Sequence, residues 1–252
     1  MISLKSQVAL VTGGSRGIGA AAAIMFAKAG ANVAITYLHD KKSADSVVAK
    51  IKKSGRKAIA VKGNVAVFND AQLMVDIIVK KLGRVDILVN NAGVWTEGSV
   101  EYLEEETWNE TINVNLKGTF NMCKAVVPVM KKNKYGRIIN IASTAGQRGE
   151  AHHSHYAASK GGVIAFTKSL GVELIRSGIW VNCVAPGWVV TDMTASVFKN
   201  TTYKGVVSQT IPRAKIATPE EIAGSIIFLA SELSNNIVGE ILNVNGGSVL
   251  CG

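Results

Sequence analysis

Short apolar runs without internal charge, each followed by a helix-like segment, recur along the whole chain. "QVALV" leads into "GIGAAAAIMFAKAG", and "NVAITY" into "KKSADSVVAKIKKSG". "KAIAV" precedes a helical pattern at 69–82, "VDILVN" one at 107–132, and "GRIINIAS" one at 154–176. "IWVNCVAP", a helix opening at Thr218 and a strand in "EILNVNGG" complete the series. Continuous rather than alternating apolar strands are what parallel strands buried on both faces require. The alternation of such strands with helices predicts an α/β doubly wound parallel sheet. Thr218-Pro219-Glu220-Glu221 reads as a capping box with proline at the first helical position. Residues 192–216 break the rhythm, and we expect an excursion over the sheet edge there, a lid on a substrate site. No linker or repeat divides residues 1–252, so a single domain is expected.

Composition narrows the function. The formal charge is +10, with most of the excess early in the chain. Lys and Arg never form a long block or an aromatic-rich stripe, so nucleic acid is not expected as a ligand. The bias suits smaller anions, such as a phosphate-rich cofactor or an acidic carrier protein. No run approaches the ~18 apolar residues of a membrane span, and the N-terminus lacks the pattern of a signal peptide. Cys123, Cys183 and Cys251 are scattered in apolar surroundings, as reduced thiols of a cytoplasmic protein would be.

"VTGGSRGIG" joins the first strand to the first helix. Gly13, Gly17 and Gly19 allow a tight turn and close approach of a pyrophosphate, which the helix N-terminus then meets with free N–H groups. A fold of this kind that prefers NAD places an acid at the end of the second strand, near the ribose 2′-hydroxyl. Here that strand ends Thr36-Tyr37-Leu38-His39. A 2′-phosphate would meet no carboxylate, and Arg16 could pair with it, with Lys41 and Lys42 just beyond. NADP(H) is therefore expected over NAD(H), with Asp40 as the counter-argument.

"HHSHYAASK" holds Tyr156 and Lys160 one helical turn apart. The same spacing occurs at Tyr37 and Lys41, so spacing alone decides nothing. Register decides more. "TGGSRGIG", "NNAG" (90–93), "NVNLKG" (113–118), "IAS" (141–143), the Tyr156/Lys160 pair and "NCVAPGWVVTDM" (182–193) follow one another in order. This series resembles that of the short-chain dehydrogenase/reductase family over essentially the whole chain, most closely its 3-oxoacyl-acyl-carrier-protein reductases. The resemblance implies a Rossmann-type fold of about seven strands and an NADP(H)-dependent reduction of a ketone to a secondary alcohol. It favours a 3-oxoacyl thioester on carrier protein or coenzyme A as substrate. Alternatives are another alcohol, such as a sugar or small cyclic ketone, or a regulator without turnover.

The resemblance also implies roles. Ser143, Tyr156 and Lys160 match the catalytic triad and Asn115 its fourth member. Gly13, Ser15, Arg16 and Ile18 match the phosphate turn. Asn64 and Val65 fall at the adenine, with Asn64 in place of a common aspartate. Asn91, Ala92 and Gly93 match the segment beside the adenosine ribose. Pro186, Gly187, Val189 and Thr191 match the nicotinamide platform. Asn245 replaces a frequent aspartate near the C-terminus. In such a site Tyr156 is the acid, Ser143 a second donor to the carbonyl, and Asn115 holds a water. The Lys160 ammonium would lower the phenol's pKa. Trp95, Trp188, Met193 and Phe198 are candidates for an apolar wall, and one of His152, His153 and His155 for pocket lining. Three near-contiguous histidines rarely converge on one ion, so no metal is expected. "KKNKYGR" (131–137) and Arg176 could dock an acidic carrier, and family habit suggests a homotetramer.

Overall fold

The structure is a computed structural model that describes residues 2–250; the third cysteine, Cys251, lies outside them. In chain order the elements are β1 (Val8–Val11), α1 (Gly17–Lys28), β2 (Asn32–Tyr37), α2 (Lys41–Lys53), β3 (Ala58–Lys62), α3 (Phe68–Leu82) and β4 (Ile87–Asn90). Then come α4 (Glu105–Ile112), α5 (Gly118–Asn133), β5 (Gly136–Ile141), α6 (Ala145–Arg148), α7 (Ser154–Leu174) and β6 (Ile179–Pro186). The last are α8 (Ala195–Phe198), α9 (Thr201–Thr210), α10 (Pro219–Leu229) and β7 (Ile241–Val244).

All seven strands pair parallel in the order β3-β2-β1-β4-β5-β6-β7. β1 sits at the reversal of strand order, with Ala9 opposite both Val33 of β2 and Ile87 of β4. At such a switch point the loops above adjacent strands diverge and leave a crevice.

Side chains alternate across the sheet, and both faces are covered. Ala9 and Val11 pack with Ala22 and Phe26 of α1 and with Ile222 and Ile226 of α10. Leu10 and Leu88 pack on the other face with Met74 of α3 and with Met122 and Val126 of α5. Neither face meets water, which is why the runs are uninterrupted.

α10 opens as expected. Glu221 accepts from the Thr218 N–H at 2.8 Å and Thr218 from the Glu221 N–H at 3.4 Å. That backbone bond, helped by Arg213 and Lys215, holds the Glu221 carboxyl down at about 2.

Two expectations are corrected. The long helix near 107–132 is two helices joined by a π-helical turn, Asn113–Lys117, and "NVNLKG" is largely that turn. "KKNKYGR" is not one basic surface patch. Arg137, on β5, points inward and is 1% exposed. It stacks on Trp180 at 4.0 Å and hydrogen-bonds Ser234 and Asn235. The lysines of this stretch precede β5 and Arg176 precedes β6, so they lie at the N-terminal edge of the sheet.

Candidate active site

A cleft of about 490 Å³ runs across the opposite, C-terminal edge. Its phosphate end is the β1–α1 turn, where Gly13 and Gly17 hold φ of +61° and +53°. A Cβ on Gly19 would stand 2.4 Å from the Gly13 carbonyl oxygen and 2.5 Å from Asn91 Nδ2. No side chain caps α1, so its first N–H groups are left for an anion. Ser15, Arg16, Gly17 and Ile18 line the cleft beside them.

Asn91 Nδ2 donates to the carbonyls of Thr12 and Gly13 at 3.0 and 3.2 Å. The Thr12 hydroxyl accepts the Asn91 and Ala92 N–H groups at 2.9 and 3.0 Å. Thr12 therefore ties the segment of Asn91, Ala92 and Gly93 to the phosphate turn. Sequence reasoning missed it, because its partners lie nearly eighty residues away.

At the adenosine end, Tyr37, His39, Asn64 and Val65 line the cleft with Arg16. Asp40 borders it too, but its Oδ1 caps α2 by accepting the Ser43 N–H at 2.8 Å. The Ser43 side chain first and this backbone bond second, more than the nearby Arg16, lower its pKa. Lys41 is ion-paired with Asp45 at 2.5 Å on an exposed helix face and does not reach the cleft. Asn64 Oδ1 accepts from the Ala66 N–H at 3.0 Å. The Val65 carbonyl is held by Asn121 at 2.9 Å.

At the other end, Pro186, the last residue of β6, and then Gly187, Val189 and Thr191 run along the cleft wall. Thr194 fixes them, donating to the Val189 carbonyl at 2.7 Å and accepting from the Thr191 N–H at 3.1 Å. Asn245 lies behind, and a Cβ on Gly187 would stand 3.0 Å from its Cβ. Its amide bonds the Val249 carbonyl and the Gly247 N–H, both at 2.9 Å, which makes it a clamp on the C-terminal turn.

Ser143, Tyr156 and Lys160 meet between the two ends, all on the cleft wall. Ser143 and the Tyr156 side chain stand close enough to interact electrostatically. Lys160, 5% exposed, donates to the Ile141 carbonyl at 2.8 Å, with Nζ 5.8 Å from the Tyr156 ring centre. Burial pushes the Tyr156 phenol up to about 12, with Glu150 adding to it and Ser143 opposing. Burial also pulls Lys160 down to about 8. In the protein alone burial outweighs whatever lowering Lys160 gives the phenol, and the lysine is held by a carbonyl.

Asn115 is fully buried and does not line the cleft. Its Oδ1 accepts from the Val94 N–H at 2.8 Å; its Nδ2 donates to the Val94 carbonyl and to Ser159 Oγ, each at 3.0 Å. Both amide hydrogens are spent inside the protein, so the NH2 has none to offer a water. The side chain instead pins the π-helical turn between Val94 and the catalytic helix. Ser159, which sequence reasoning also missed, completes the link by donating to the Tyr156 carbonyl at 2.7 Å.

The aromatic wall is real. Trp95, Trp188 and Met193 line the cleft, and Phe198 packs behind Trp188 at 5.5 Å. His152, His153 and His155 do not line it. His153 and His155 are buried behind the wall, and His152 sits in a left-handed turn at φ +62°. Among the described residues, no three His, Cys, Asp or Glu side chains group as a metal site would need.

A family model described as "Enoyl-(Acyl carrier protein) reductase" matches residues 13–248. A 3-oxoacyl-[acyl-carrier-protein] reductase of Synechocystis is 43% identical over 99% of this chain and 100% of its own. The enzyme of the same name from Staphylococcus epidermidis is 40% identical over 96% of this chain and 98% of its own. The chain belongs to the short-chain dehydrogenase/reductase family. Solved structures agree. A protein of Sinorhizobium meliloti 1021, provisionally assigned as a short-chain alcohol dehydrogenase, superposes with a TM-score of 0.94 at 32% identity, covering 98% of each chain. One of Beutenbergia cavernae, provisionally assigned as an NAD(P)-dependent gluconate 5-dehydrogenase and holding NADP, gives 0.93 at 34% identity over 98% of each.

The chain is thus an oxidoreductase, and a nicotinamide cofactor is the family's. The cleft fits one. The uncapped helix end faces it, whereas Gly19, expected to border the cofactor, is buried outside the lining and instead lets α1 close on the Gly13 carbonyl and Asn91. No helix among the described residues is long and apolar enough to cross a membrane.

Proposed function

We propose that this short-chain dehydrogenase/reductase is an NADPH-dependent ketoreductase that converts a 3-oxoacyl thioester to the 3-hydroxyacyl thioester. The observation that carries this reading is the convergence of Ser143, Tyr156 and Lys160 on the wall of one cleft, with Lys160 Nζ 5.8 Å from the Tyr156 ring centre. Bound there, the nicotinamide supplies the hydride. The ketone oxygen becomes anionic as the hydride arrives, and a group that stays protonated at neutral pH is suited to answer it. Tyr156 gives its proton to that oxygen while Ser143 donates a second hydrogen bond. Lys160 stands beside the phenol as the cation that stabilises the phenolate left behind. Asn115 and Ser159 keep the catalytic helix and the Val94 loop in register. The thioester class is supported by the relatives' reaction, and residues 192–216, whose Asp192, Met193 and Thr194 border the cleft, shape the substrate side.

The preference for NADPH is supported by Arg16 and His39 on the adenosine wall and by the engagement of Asp40 as a helix cap. A cytoplasmic place fits the buried free thiols of Cys123 and Cys183. Homotetramer assembly fits the half-exposed Trp108 on α4 and Phe120 on α5. Lys131, Lys132, Lys134 and Arg176, at the sheet edge opposite the cleft, are badly placed to present a carrier's thioester to it.

The test is fluorescence titration with NADPH and NADH, then turnover of acetoacetyl thioesters followed by NADPH absorbance. NADPH should bind at least tenfold tighter; equal affinities sink the cofactor assignment. Tyr156→Phe should bind NADPH normally and lose at least a thousandfold in kcat, and retained turnover removes Tyr156 as the acid.

A further inference from the structure

The stretch His152-His153-Ser154-His155 meets residues 95–98, the loop after β4, at three points. The Gly98 N–H donates to the His152 carbonyl at 2.8 Å. The His153 ring lies on the Trp95 indole, 4.6 Å between centres and 3° from parallel. His155 Nε2 is 3.0 Å from Thr96 Oγ1. Three residues of one segment thus engage three of the other, directly before Tyr156 and directly beside the cleft.

The protons follow from the partners. His153 Nδ1 is 3.0 Å from the Ala151 carbonyl, which can only accept, so Nδ1 carries the hydrogen. His153 Nε2 is then bare, and it is buried without a partner. His155 Nδ1 is also buried without a partner. A bare ring nitrogen there costs less than an orphaned N–H, so the His155 hydrogen sits on Nε2 and is donated to Thr96. In this arrangement each ring fixes one residue of the loop.

What they fix is the substrate wall. Trp95 lines the cleft and meets Trp188 edge-to-face, 5.9 Å between centres and 87° between planes. Trp188 leans in turn on Phe198 of α8. The two indoles make a perpendicular corner on the same cleft as Tyr156, and His153 closes the face of Trp95 that the corner leaves open.

We propose that His153 and His155 are positioning residues for substrate recognition: they clasp the loop after β4 so that Trp95 stands as an apolar wall of the carbonyl subsite and selects substrates carrying an apolar chain beside the ketone. The proposal rests on the ketoreductase reading. It is specific to substrate binding, because neither ring touches the cofactor end or the proton donor's hydroxyl.

The experiment is steady-state kinetics with NADPH on N-acetylcysteamine thioesters of 3-oxobutanoate, 3-oxohexanoate and 3-oxooctanoate, for wild type, His153→Ala, His153→Phe and Trp95→Ala. For wild type, KM should fall roughly fourfold per methylene covered by the wall. Trp95→Ala should flatten that dependence. His153→Ala should raise KM for the longer substrates roughly three- to tenfold, with kcat and the NADPH KM unchanged within twofold. His153→Phe keeps a stacked ring and should restore wild-type KM. An unchanged KM profile in His153→Ala, or a parallel loss of kcat and cofactor affinity, overturns the proposal. A second readout needs no turnover. Wild type minus Trp95→Phe gives the Trp95 emission, which should rise in His153→Ala as the stacked imidazole is lost; unchanged emission also overturns the clasp. If wild type reduces none of the thioesters while Trp95 emission responds, the ketoreductase reading and the substrate choice fail and the clasp stands.

Discussion

Thr12→Val removes one hydroxyl and keeps the shape of the side chain. Thr12 is 1% exposed. Its Oγ1 accepts two backbone N–H groups, from Asn91 and Ala92. It also donates weakly to the Val89 carbonyl at 3.3 Å, which keeps a second donor in the Thr12 backbone N–H at 3.0 Å. The substitution therefore orphans two donors and no acceptor. Each unsatisfied buried N–H costs about 1–3 kcal/mol. Asn91 and Ala92 are only half-buried, which puts each near the lower end and the sum at about 2–4 kcal/mol. For a chain of this size about 1 kcal/mol moves Tm by roughly 2–4 °C, so a drop of roughly 5–15 °C is expected by calorimetry. NADPH affinity should fall with it, because the orphaned segment borders the cofactor cleft. Thr12→Ser keeps the oxygen and loses one methyl, at about 1 kcal/mol. If the Thr12→Val Tm lies within 2 °C of Thr12→Ser, the hydroxyl does not hold the turn and the argument fails.

Gly19→Ala places a methyl 2.4 Å from the Gly13 carbonyl oxygen; NADPH affinity should drop more than tenfold by fluorescence titration, and unaltered affinity would mean that α1 can shift aside. Burial, reinforced by nearby His153, lowers the His155 pKa. The unfolded chain then takes up a proton near its ordinary ~6.5 while the folded chain resists. The stability tied to His155 is therefore complete above that pH and is lost as pH falls below it. Tm should decline between pH 7 and 5 less steeply in His155→Gln than in wild type, and parallel curves would refute this. Lys131→Glu with Lys134→Glu, at the sheet edge opposite the cleft, should leave KM unchanged for carrier-linked and coenzyme A-linked substrate alike; a rise for the carrier-linked substrate alone would place carrier docking at that edge and refute this.

What was legible in the sequence was what depends on period and register. The uninterrupted runs of β1 and β4 announced burial on both faces, and Leu10 and Val11 pack on opposite sides. Tyr156 and Lys160 share their spacing with Tyr37 and Lys41, yet only the first pair converges on the cleft; Lys41 is spent on Asp45. Arg137 was misread because "KKNKYGR" looks basic by composition, whereas strand pleating turns that side chain inward onto Trp180, Ser234 and Asn235. The π-helical turn carries no compositional signal, since it differs from an α-helix only in which carbonyl each N–H reaches.

The residues that hold the site share one property. Thr12 reaches Asn91, Ser159 reaches Asn115, and His153 and His155 reach Trp95 and Thr96. Each contact joins the loop after one strand to the loop or helix after another, at the edge where a doubly wound sheet brings separate βα units together. A reacting group can be recognised by its local neighbours, because its chemistry demands them. A positioning group is defined by a partner that only the topology supplies. The histidines before Tyr156 therefore read in the sequence only as candidates for pocket lining, and His153 and His155 become a clasp once β4 and β5 are paired and their loops stand side by side.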